Sequence, residues 1–525
     1  MRALLRLIDR FARDSRGNIA LTFAICSVPL LTAVGAGVDY SLATRMKAKL
    51  QSAADAAAVA AVSENGLGYN AATQMSGNGS VPAGVTDANN VFTGIMKTIT
   101  GYTGLNQTAT VTKTGANLTS KVTFSAQVPT TFMKIAGFQQ LTVNGSSSAS
   151  ASLPLYLDFY LMLDVSGSMG LPSTTAEAQR MQNVNPDNYR QYPTGCTLAC
   201  HFSPQNSACT DSGTQGYPTN NYCMGYAISR VSQSGFQGLL VNQSPAGKYL
   251  WKNPANNKYQ QLKSSLVSGL PNSLYTALPP VSSCSTAGTD ACIQLRLDAV
   301  GYAVNQLFIT ANNTEKITNQ FRIGLYPYIT SLYSSYFPLT SSINGSSSTP
   351  GTINYAAATL ASLLDTNMNA NLGSGGTNQD AALKSMNNLI TSVGDGSAFN
   401  KTLPYVFIVT DGAVTPQTKG VPNGGWSGSN HDTTIAIPDT NCTKLKSRGI
   451  TVSILYIPFQ PINPVNASFA GDEDDYANNN IPNIPPSLQA CASPGFFYTA
   501  NSPQDITNAL NAMFNHALVT AHLTN

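Results

Sequence analysis

The sequence predicts an α/β protein: a doubly wound parallel sheet with a long disulfide-bearing insertion, preceded by a transmembrane helix and a small helix-plus-sheet unit. Near-continuous apolar runs are typical of strands buried on both faces of a parallel sheet, and they occupy residues 153–164, 321–330, 405–411 and 450–459. Segments with helical spacing of apolar residues lie between and after these runs, at 292–309, 378–390 and 503–514. Strands that alternate with helices favour a parallel sheet.

Composition limits the functional classes. The chain has 525 residues, enough for roughly two to four folding units. Charged residues make up only 10% of it, which excludes the highly charged composition of disordered proteins. The net charge is +3 and the basic residues are spread out, so we expect no nucleic-acid partner, which would require a basic stripe.

The N-terminal region predicts a membrane anchor. Residues 19–38 carry no charge, and a helix of this length spans a hydrocarbon core of about 30 Å. We interpret 1–17 as a basic cytoplasmic leader, 18–39 as a transmembrane helix and 40–65 as an amphipathic alanine-rich helix. A cleaved signal peptide is the alternative, but its apolar stretch is usually ~7–15 residues. The arginines ahead of the run favour a cytoplasmic N-terminus and export of residues 40–525.

The alanine-rich helix has two open interpretations, a simple stalk or a packing surface for partner helices. Residues 66–152 predict a small β-rich domain, because 108–114, 121–128 and 140–152 alternate with the period of half-exposed strands. Residues 153–525 form the α/β domain. The alternation of strands and helices in this domain is interrupted at about 170–290, which we interpret as an insertion.

Cysteine usage indicates an oxidising compartment. Eight cysteines follow the membrane run, namely Cys196, Cys200, Cys209, Cys223, Cys284, Cys292, Cys442 and Cys491, and an even number in an exported region predicts disulfides. We expect Cys442 and Cys491 to pair across the last buried strand. The cluster 196–223 pairs within itself in an undetermined pattern, and a small loop between Cys284 and Cys292 is sterically possible. A zinc site in the cluster is the alternative.

A set of oxygen donors follows the buried strands. Asp164, Ser166 and Ser168 come after the first strand, Asp411 ends the strand YVFIVT, and Thr377 precedes a helix in a glycine loop. Carboxyl ends of parallel strands meet at one edge, where ligands bind. Hard oxygen donors select Mg²⁺, with Mn²⁺ or Ca²⁺ possible, over zinc. We expect the site to lie at a loop rim rather than in the core.

These residues resemble the metal-ion-dependent adhesion site of von Willebrand factor A domains, with Asp-x-Ser-x-Ser, a distant Thr and a strand-end Asp-Gly. The resemblance covers 153–525 apart from the insertion. It implies that the hydroxyls of Ser166, Ser168 and Thr377 bind a divalent cation, while Asp164 and Asp411 act directly or through water. An acidic side chain from a protein partner would take the open position.

Residues 16–62 resemble the leader of TadE/TadG-like proteins of the Flp, or tight-adherence, pilus system. The specific features are Val-Asp-Tyr after the span and the Leu-Gln-x-Ala-Ala-Asp-Ala-Ala-Ala run at 50–58. TadG-like members join such a leader to a von Willebrand A domain. Prepilins have a Gly before the cleavage point and a Glu five residues into the mature helix; Gly17 is present, but Thr22 stands at the Glu position.

We therefore expect a pilus-assembly or adhesion protein of the bacterial envelope that is anchored in the inner membrane and is not an enzyme. Its partners would be pilus or envelope components. One alternative is a structural minor pilin whose metal site stabilises the fold. The other is a metal- or serine-dependent hydrolase, for which neither a supporting histidine motif nor a nucleophile elbow is present around Ser168.

Overall fold

The structure is a computed structural model that describes residues 18–177, 240–243, 248–252, 259–261, 294–365, 369–421, 424–461 and 474–523. The chain divides into two compact units, Met1–Pro154 and Leu155–Asn525. Most of the predicted insertion lies outside the described residues, and so do the six cysteines from Cys196 to Cys292. Within the insertion the structure describes three short antiparallel strands.

The first unit is built on one long helix, α1 (Asn18–Ala60). Among the described residues it is the one helix long and apolar enough to cross a membrane. Its first half is exposed and apolar, while its second half buries Leu50 and a row of alanines at 53, 54, 57 and 58. Small side chains allow close backbone approach, and this row packs against the unit's own sheet. The alanine-rich segment is therefore a packing surface for the same chain.

The sheet of this unit has four antiparallel strands in the order β1 (Gly79–Ser80), β2 (Thr103–Thr114), β3 (Asn117–Pro129) and β4 (Gln140–Ser152). Along β3 buried and exposed residues alternate, with Leu118, Val122 and Phe124 facing the core. The predicted period of two is confirmed here. A short 3₁₀ helix, Met133–Ala136, lies between β3 and β4.

Two helices of the first unit were not predicted, α2 (Leu67–Thr73) and α3 (Pro82–Met96). In α3 a proline occupies the first turn, where its missing N–H costs nothing. The buried residues Gly84, Ala88, Phe92 and Met96 recur every four positions, the spacing of one helix face. That signal was present in the sequence but was diluted by the polar residues between.

The second unit contains a six-stranded sheet. In chain order its strands are β5 (Leu157–Asp164), β9 (Phe321–Tyr328), β10 (Phe337–Thr340), β11 (Leu403–Thr410), β14 (Thr451–Tyr456) and β15 (Phe497–Thr499). The intervening strands are β6 (Leu240–Gln243), β7 (Lys248–Lys252), β8 (Tyr259–Gln261), β12 (Thr418–Lys419) and β13 (Trp426–Ser427).

The spatial order of the six strands is β10-β9-β5-β11-β14-β15. All neighbours are parallel except β10, which is antiparallel at the edge. The four predicted strands are the four central ones, and every residue of β5 is buried. The mixed α/β class with a parallel-containing sheet is confirmed, and the carboxyl ends of β5, β9 and β11 share one edge.

Helices cover both faces of this sheet. They are α4 (Arg296–Thr314), α5 (Ile353–Ala358), α6 (Gln379–Leu389), α7 (Thr440–Ser447), α8 (Asp474–Asn480), α9 (Ile484–Cys491) and α10 (Pro503–Leu523). On one face Phe514 of α10 packs against Phe159 and Phe321, with ring centroids 5.1 and 5.2 Å apart. On the other face α6, α7 and α9 contribute to a core with Met162 and Ile408. Short 3₁₀ helices occur at Gly167–Gly170, Leu360–Leu363 and Ile481–Asn483.

The structure confirms the predicted Cys442–Cys491 disulfide, which links α7 to α9 on either side of β14. Both cysteines are buried. Cys26, in the apolar half of α1, is a free and exposed thiol. The pairings predicted for Cys196–Cys223 and for Cys284 with Cys292 fall outside the described residues, and so does the zinc alternative.

Candidate metal centre

The predicted donors gather where β5 and β11 end. Asp164 is the last residue of β5 and pairs in register with Tyr328, the last residue of β9. Asp411 immediately follows β11. Because β5 lies between β9 and β11, the two carboxylates emerge at the same edge of the sheet.

Both carboxylate oxygens of Asp164 accept hydrogen bonds. Its Oδ1 accepts hydrogen bonds from the Ser166 hydroxyl at 2.6 Å and from the Ser166 backbone N–H at 3.0 Å. Its Oδ2 accepts from the Thr410 hydroxyl at 2.7 Å. Burial, reinforced by the charge of Asp411, raises the pKa of Asp164 despite these bonds. A cation at this position would oppose that rise.

Ser168 lies between the first carboxylate and the second. The hydroxyls of Ser166 and Ser168 lie 3.4 Å apart, and Ser168 is close enough to Asp411 to lower the pKa of that carboxyl group. Burial raises the pKa of Asp411, although Arg296 and Ser168 act in the opposite direction. Four of the five predicted donors, Asp164, Ser166, Ser168 and Asp411, therefore form one connected group.

Thr377 reaches the same edge by a different route. The backbone N–H of Thr377 donates to the Thr415 carbonyl, and the N–H of Thr415 donates to the Thr377 carbonyl, both at 3.0 Å. Thr415 lies four residues after Asp411. The next residue, Asn378, donates its N–H to the carbonyl of Ile329, just beyond β9, and caps α6 through its side chain. Thr377 is therefore held between the ends of β9 and β11, and it is buried.

Two charged residues that the sequence did not single out complete the surroundings. Arg296, at the start of α4, places Nη1 3.9 Å from Asp411 Oδ2, and both side chains are buried. Asp432 accepts a 2.6 Å hydrogen bond from the Thr415 hydroxyl, and burial, followed by the charge of Asp411, raises its pKa to about 6. Neither residue lies in a recognisable motif, since Arg296 follows the insertion and Asp432 lies in a loop.

Two buried polar atoms of this site lack hydrogen-bond partners among the described residues. Asp411 Oδ2 and Arg296 Nη1 are buried without a hydrogen-bond partner among the described residues. Buried polar atoms are nearly always hydrogen-bonded, and a carboxylate oxygen that lacks a hydrogen-bond donor, in a group close to the Ser168 hydroxyl, is suited to bind a hard cation. With its three carboxylates ionised and Arg296 charged, the group carries a net double negative charge, which a divalent cation would neutralise. The residues therefore fit such an ion.

A second Asp-x-Ser turn shows that local geometry alone does not make this site. Asp395 accepts the same two hydrogen bonds from Ser397, at 2.6 and 3.0 Å. Partial burial raises its pKa, but the bonds from Ser397 outweigh that effect, so the pKa of Asp395 lies below its ordinary value. Asp164 shifts the opposite way because it is deeply buried and faces a second carboxylate.

The expected position at an accessible loop rim was wrong. Asp164, Ser166, Thr377 and Asp411 are all buried, and only Ser168 and its neighbour Gly167 are partly exposed. Asp164 is the last residue of β5 and Asp411 directly follows β11, and both are central strands that are almost entirely buried. An external ligand would approach from the side of Ser168.

The insertion begins and ends next to this side. Beyond Ser168, Pro172 forms an antiparallel bridge with Leu295, and the Ser173 hydroxyl donates to the Gln294 side chain at 2.6 Å. The N–H of Arg296 donates to the Leu171 carbonyl at 2.8 Å. This pairing fixes the start of α4, and with it the guanidinium near Asp411.

Comparison with known proteins supports the N-terminal resemblance. Residues 17–64 match the family model described as putative Flp pilus-assembly TadE/G-like. Together with the apolar helix, this match fits a membrane-anchored envelope protein with a pilus-related role. No curated protein matches the chain.

Among solved structures, the chain is similar to the pilus adhesin SpaC from Lactobacillus rhamnosus GG, at 11% identity and a TM-score of 0.31 over 79% of this chain and 34% of that chain. It is similar to the PilB minor pilin from Streptococcus sanguinis, at 10% identity and a TM-score of 0.29 over 79% of each chain. It is similar to the vWF domain of the type V pili tip protein Mfa5 from Porphyromonas gingivalis, at 13% identity and a TM-score of 0.24 over 44% of this chain and 89% of that chain. The chain thus spans about a third of SpaC.

Proposed function

We propose that this protein is a membrane-anchored, exported pilus-assembly or adhesion protein whose von Willebrand A-type domain binds a protein partner through a divalent cation. The cation, Mg²⁺ in the first instance, would be held by Asp164, Ser166, Ser168, Thr377 and Asp411. The observation that carries the metal site is Asp411 Oδ2, which is buried and has no hydrogen-bond partner among the described residues, in a carboxyl group close to the Ser168 hydroxyl and the Asp164 carboxylate. The match of residues 17–64 carries the pilus context.

The chemistry of the donor set determines what the ion would supply. Three neutral hydroxyls and two carboxylates supply five oxygen donors, which would leave one position of a six-coordinate cation open to an incoming carboxylate. We propose that an acidic side chain of a pilus or envelope component completes the shell from the side of Ser168. We assign no catalytic role to this site.

Metal binding is tested by titrating the full-length protein in detergent micelles with Mg²⁺, Mn²⁺ and Ca²⁺ in a calorimeter. Asp164→Asn should abolish the binding heat, because the amide lacks the charge of the carboxylate. The matched control is Asp395→Asn, which alters the same local turn outside the site. Equal heats for Asp164→Asn and the parent chain would reject the site.

The burial of the donors favours one competing function, a structural minor pilin in which the ion only stabilises the fold. Cells that carry Asp164→Asn distinguish the two. Under the proposed function this variant accumulates in the envelope but fails to support pilus formation or surface attachment, while Asp395→Asn supports both. Normal pili and attachment in a variant that binds no metal would favour the minor-pilin function.

A further inference from the structure

A short loop in the first unit exposes an unusual amount of apolar surface. Between β3 and β4, Phe132, Ile135 and Phe138 have 43%, 76% and 57% of their surface exposed. Ile135 lies within the 3₁₀ helix Met133–Ala136, Phe132 and Phe138 lie on either side of it, and Lys134 is also exposed. Three large apolar side chains exposed within seven residues form a patch, which in soluble proteins marks an interaction site. We call residues 130–138 the apolar loop.

The apolar loop is fixed to α1 where the uncharged run ends. A Cβ placed on Gly35 would lie 2.3 Å from Phe132 Cβ, so the phenylalanine rests directly on the helix backbone. One turn later, the Asp39 carboxylate accepts hydrogen bonds from the N–H groups of Thr131, Phe132 and Met133, at 2.9, 2.9 and 2.7 Å.

These contacts remove the first charge after the run from the surface. Asp39 is only 2% exposed, and the three N–H donors at the start of a short helix compensate its charge. The next charges, Arg45, Lys47 and Lys49, are exposed, and Arg45 lies about 15 Å further along the helix than Gly35.

The exposed surface in between is apolar or aromatic. Val34 and Val38 of the run are exposed, as are Tyr40 and Leu42 beyond it. The apolar surface of the helix therefore continues onto the apolar loop. Tyr40 follows the end of the uncharged run, which would be the interface between membrane and water, where aromatic side chains concentrate in membrane proteins.

We propose that the apolar loop is a second membrane contact, inserted at the boundary between headgroups and acyl chains of the leaflet through which α1 leaves the bilayer. This proposal rests on the membrane anchor of the proposed function. The occupant is lipid because the loop is attached to the membrane run itself, and side chains of this kind enter the boundary by ~5–10 Å. Lys134 would face lipid phosphates. Anchoring at two points would fix the orientation of the first unit at the membrane.

The test uses tryptophan fluorescence of the full chain in phosphatidylcholine vesicles whose acyl chains carry bromine, a contact quencher, near either the carbonyl or the methyl end. Ile135→Trp and, separately, Phe138→Trp report on the apolar loop. Leu30→Trp reports on the run, and Thr110→Trp is the matched exposed control, about 30 Å away along the sheet. The signal of the parent chain, which contains Trp251 and Trp426, is subtracted.

We expect Ile135→Trp and Phe138→Trp to lose most of their emission when bromine lies near the carbonyl end of the acyl chains. Leu30→Trp should lose most of its emission when bromine lies near the methyl end. Thr110→Trp should keep its emission in both kinds of vesicle. If Leu30→Trp is quenched but both loop variants are not, the apolar loop does not enter lipid and the inference is wrong, while the anchor stands. Emission that changes only when envelope proteins are added would make the loop a protein interface and equally overturn the proposal. If Leu30→Trp is also unquenched, the anchor itself fails.

Discussion

At the scale of single residues, Asp411 has two possible counter-charges, the guanidinium of Arg296 and the proposed cation. Arg296 Nη1 lies 3.9 Å from Asp411 Oδ2, beyond hydrogen-bonding distance, and neither atom has a hydrogen-bond partner among the residues that the structure describes. Each therefore depends on the other for charge balance without forming a bond. Loss of Arg296 should consequently destabilise the domain more when metal is absent than when metal is bound.

Replacing Arg296 tests this dependence. Arg296→Gln leaves a buried carboxylate without a counter-charge, so with chelator present the free energy of unfolding should fall by about 3 kcal/mol. A divalent cation should restore most of this loss, because it supplies the missing charge. Urea unfolding of both chains, with and without Mg²⁺, measures the difference. Equal stabilisation of the two chains by Mg²⁺ would contradict the prediction.

Asp432 predicts a pH dependence. Its pKa is about 6 in the folded chain and about 3.9 in an unfolded one. The folded state therefore binds the proton more tightly, and ionised Asp432 lowers stability as pH rises through this interval. Asp432→Asn keeps the acceptor for Thr415 and removes the charge. With chelator present it should raise the free energy of unfolding by about 1–3 kcal/mol at pH 7.

The control for Asp432→Asn is the same pair of chains in acid. Below about pH 3 the carboxyl group is protonated in both states, so parent and variant should unfold with equal free energies. A gain that persisted unchanged there would mean that the substitution acts through packing rather than charge.

At the scale of elements, the disulfide between α7 and α9 closes a loop across β14, with a sequence separation of 49. Closing a loop of this length restricts the unfolded chain and stabilises the folded one by about 2–4 kcal/mol. The double variant Cys442→Ala/Cys491→Ala should lose about that much in chemical unfolding. Reductant also acts on the disulfides expected among the other exported cysteines, so it should lower both chains but remove the difference between them. A difference that persisted in reductant would count against the prediction.

Two neighbouring glycines of α1 provide a matched pair. A methyl group at Gly35 would meet Phe132, whereas one at Gly37 would meet nothing within 4 Å. Gly35→Ala should weaken the docking of the apolar loop by about 1–3 kcal/mol and speed amide hydrogen exchange at residues 131–133, whose N–H groups bond to Asp39. Gly37→Ala should leave exchange there unchanged. Equal exchange in the two variants would show that the contact is not tight.

The elements differ in how well the sequence predicts them. Central strands such as β5 and β11 could be predicted because burial on both faces demands an uninterrupted apolar run, which few other structures produce. Edge strands such as β10 and short helices such as α7 depend on tertiary packing, so their own residues carry little signal. In the site, donors on strand ends were predictable, whereas Arg296 was not, because only the pairing of Pro172 with Leu295 brings it to Asp411.

At the scale of the whole molecule, the proposed topology is testable with reporters. The arginine-rich leader and the uncharged run should leave the N-terminus in the cytoplasm and export the rest. A reporter that is active only outside the cytoplasm should function when fused after Asn525, and one that is active only inside should not. The matched control carries both reporters ahead of Met1, where the activities should reverse. A cytoplasmic reporter active at the C-terminus would reject this topology and the export of the disulfide.

The pairing of Leu171–Ser173 with Gln294–Arg296 has a consequence for how this domain can diversify. The chain leaves the sheet framework and returns to it at adjacent residues, so the span between them can gain or lose residues without displacing β5 or α4. Loop-closure cost rises only slowly with length. The pairing is thus a graft point at which evolution, or an engineer, can exchange one inserted segment for another beside an unchanged set of donors.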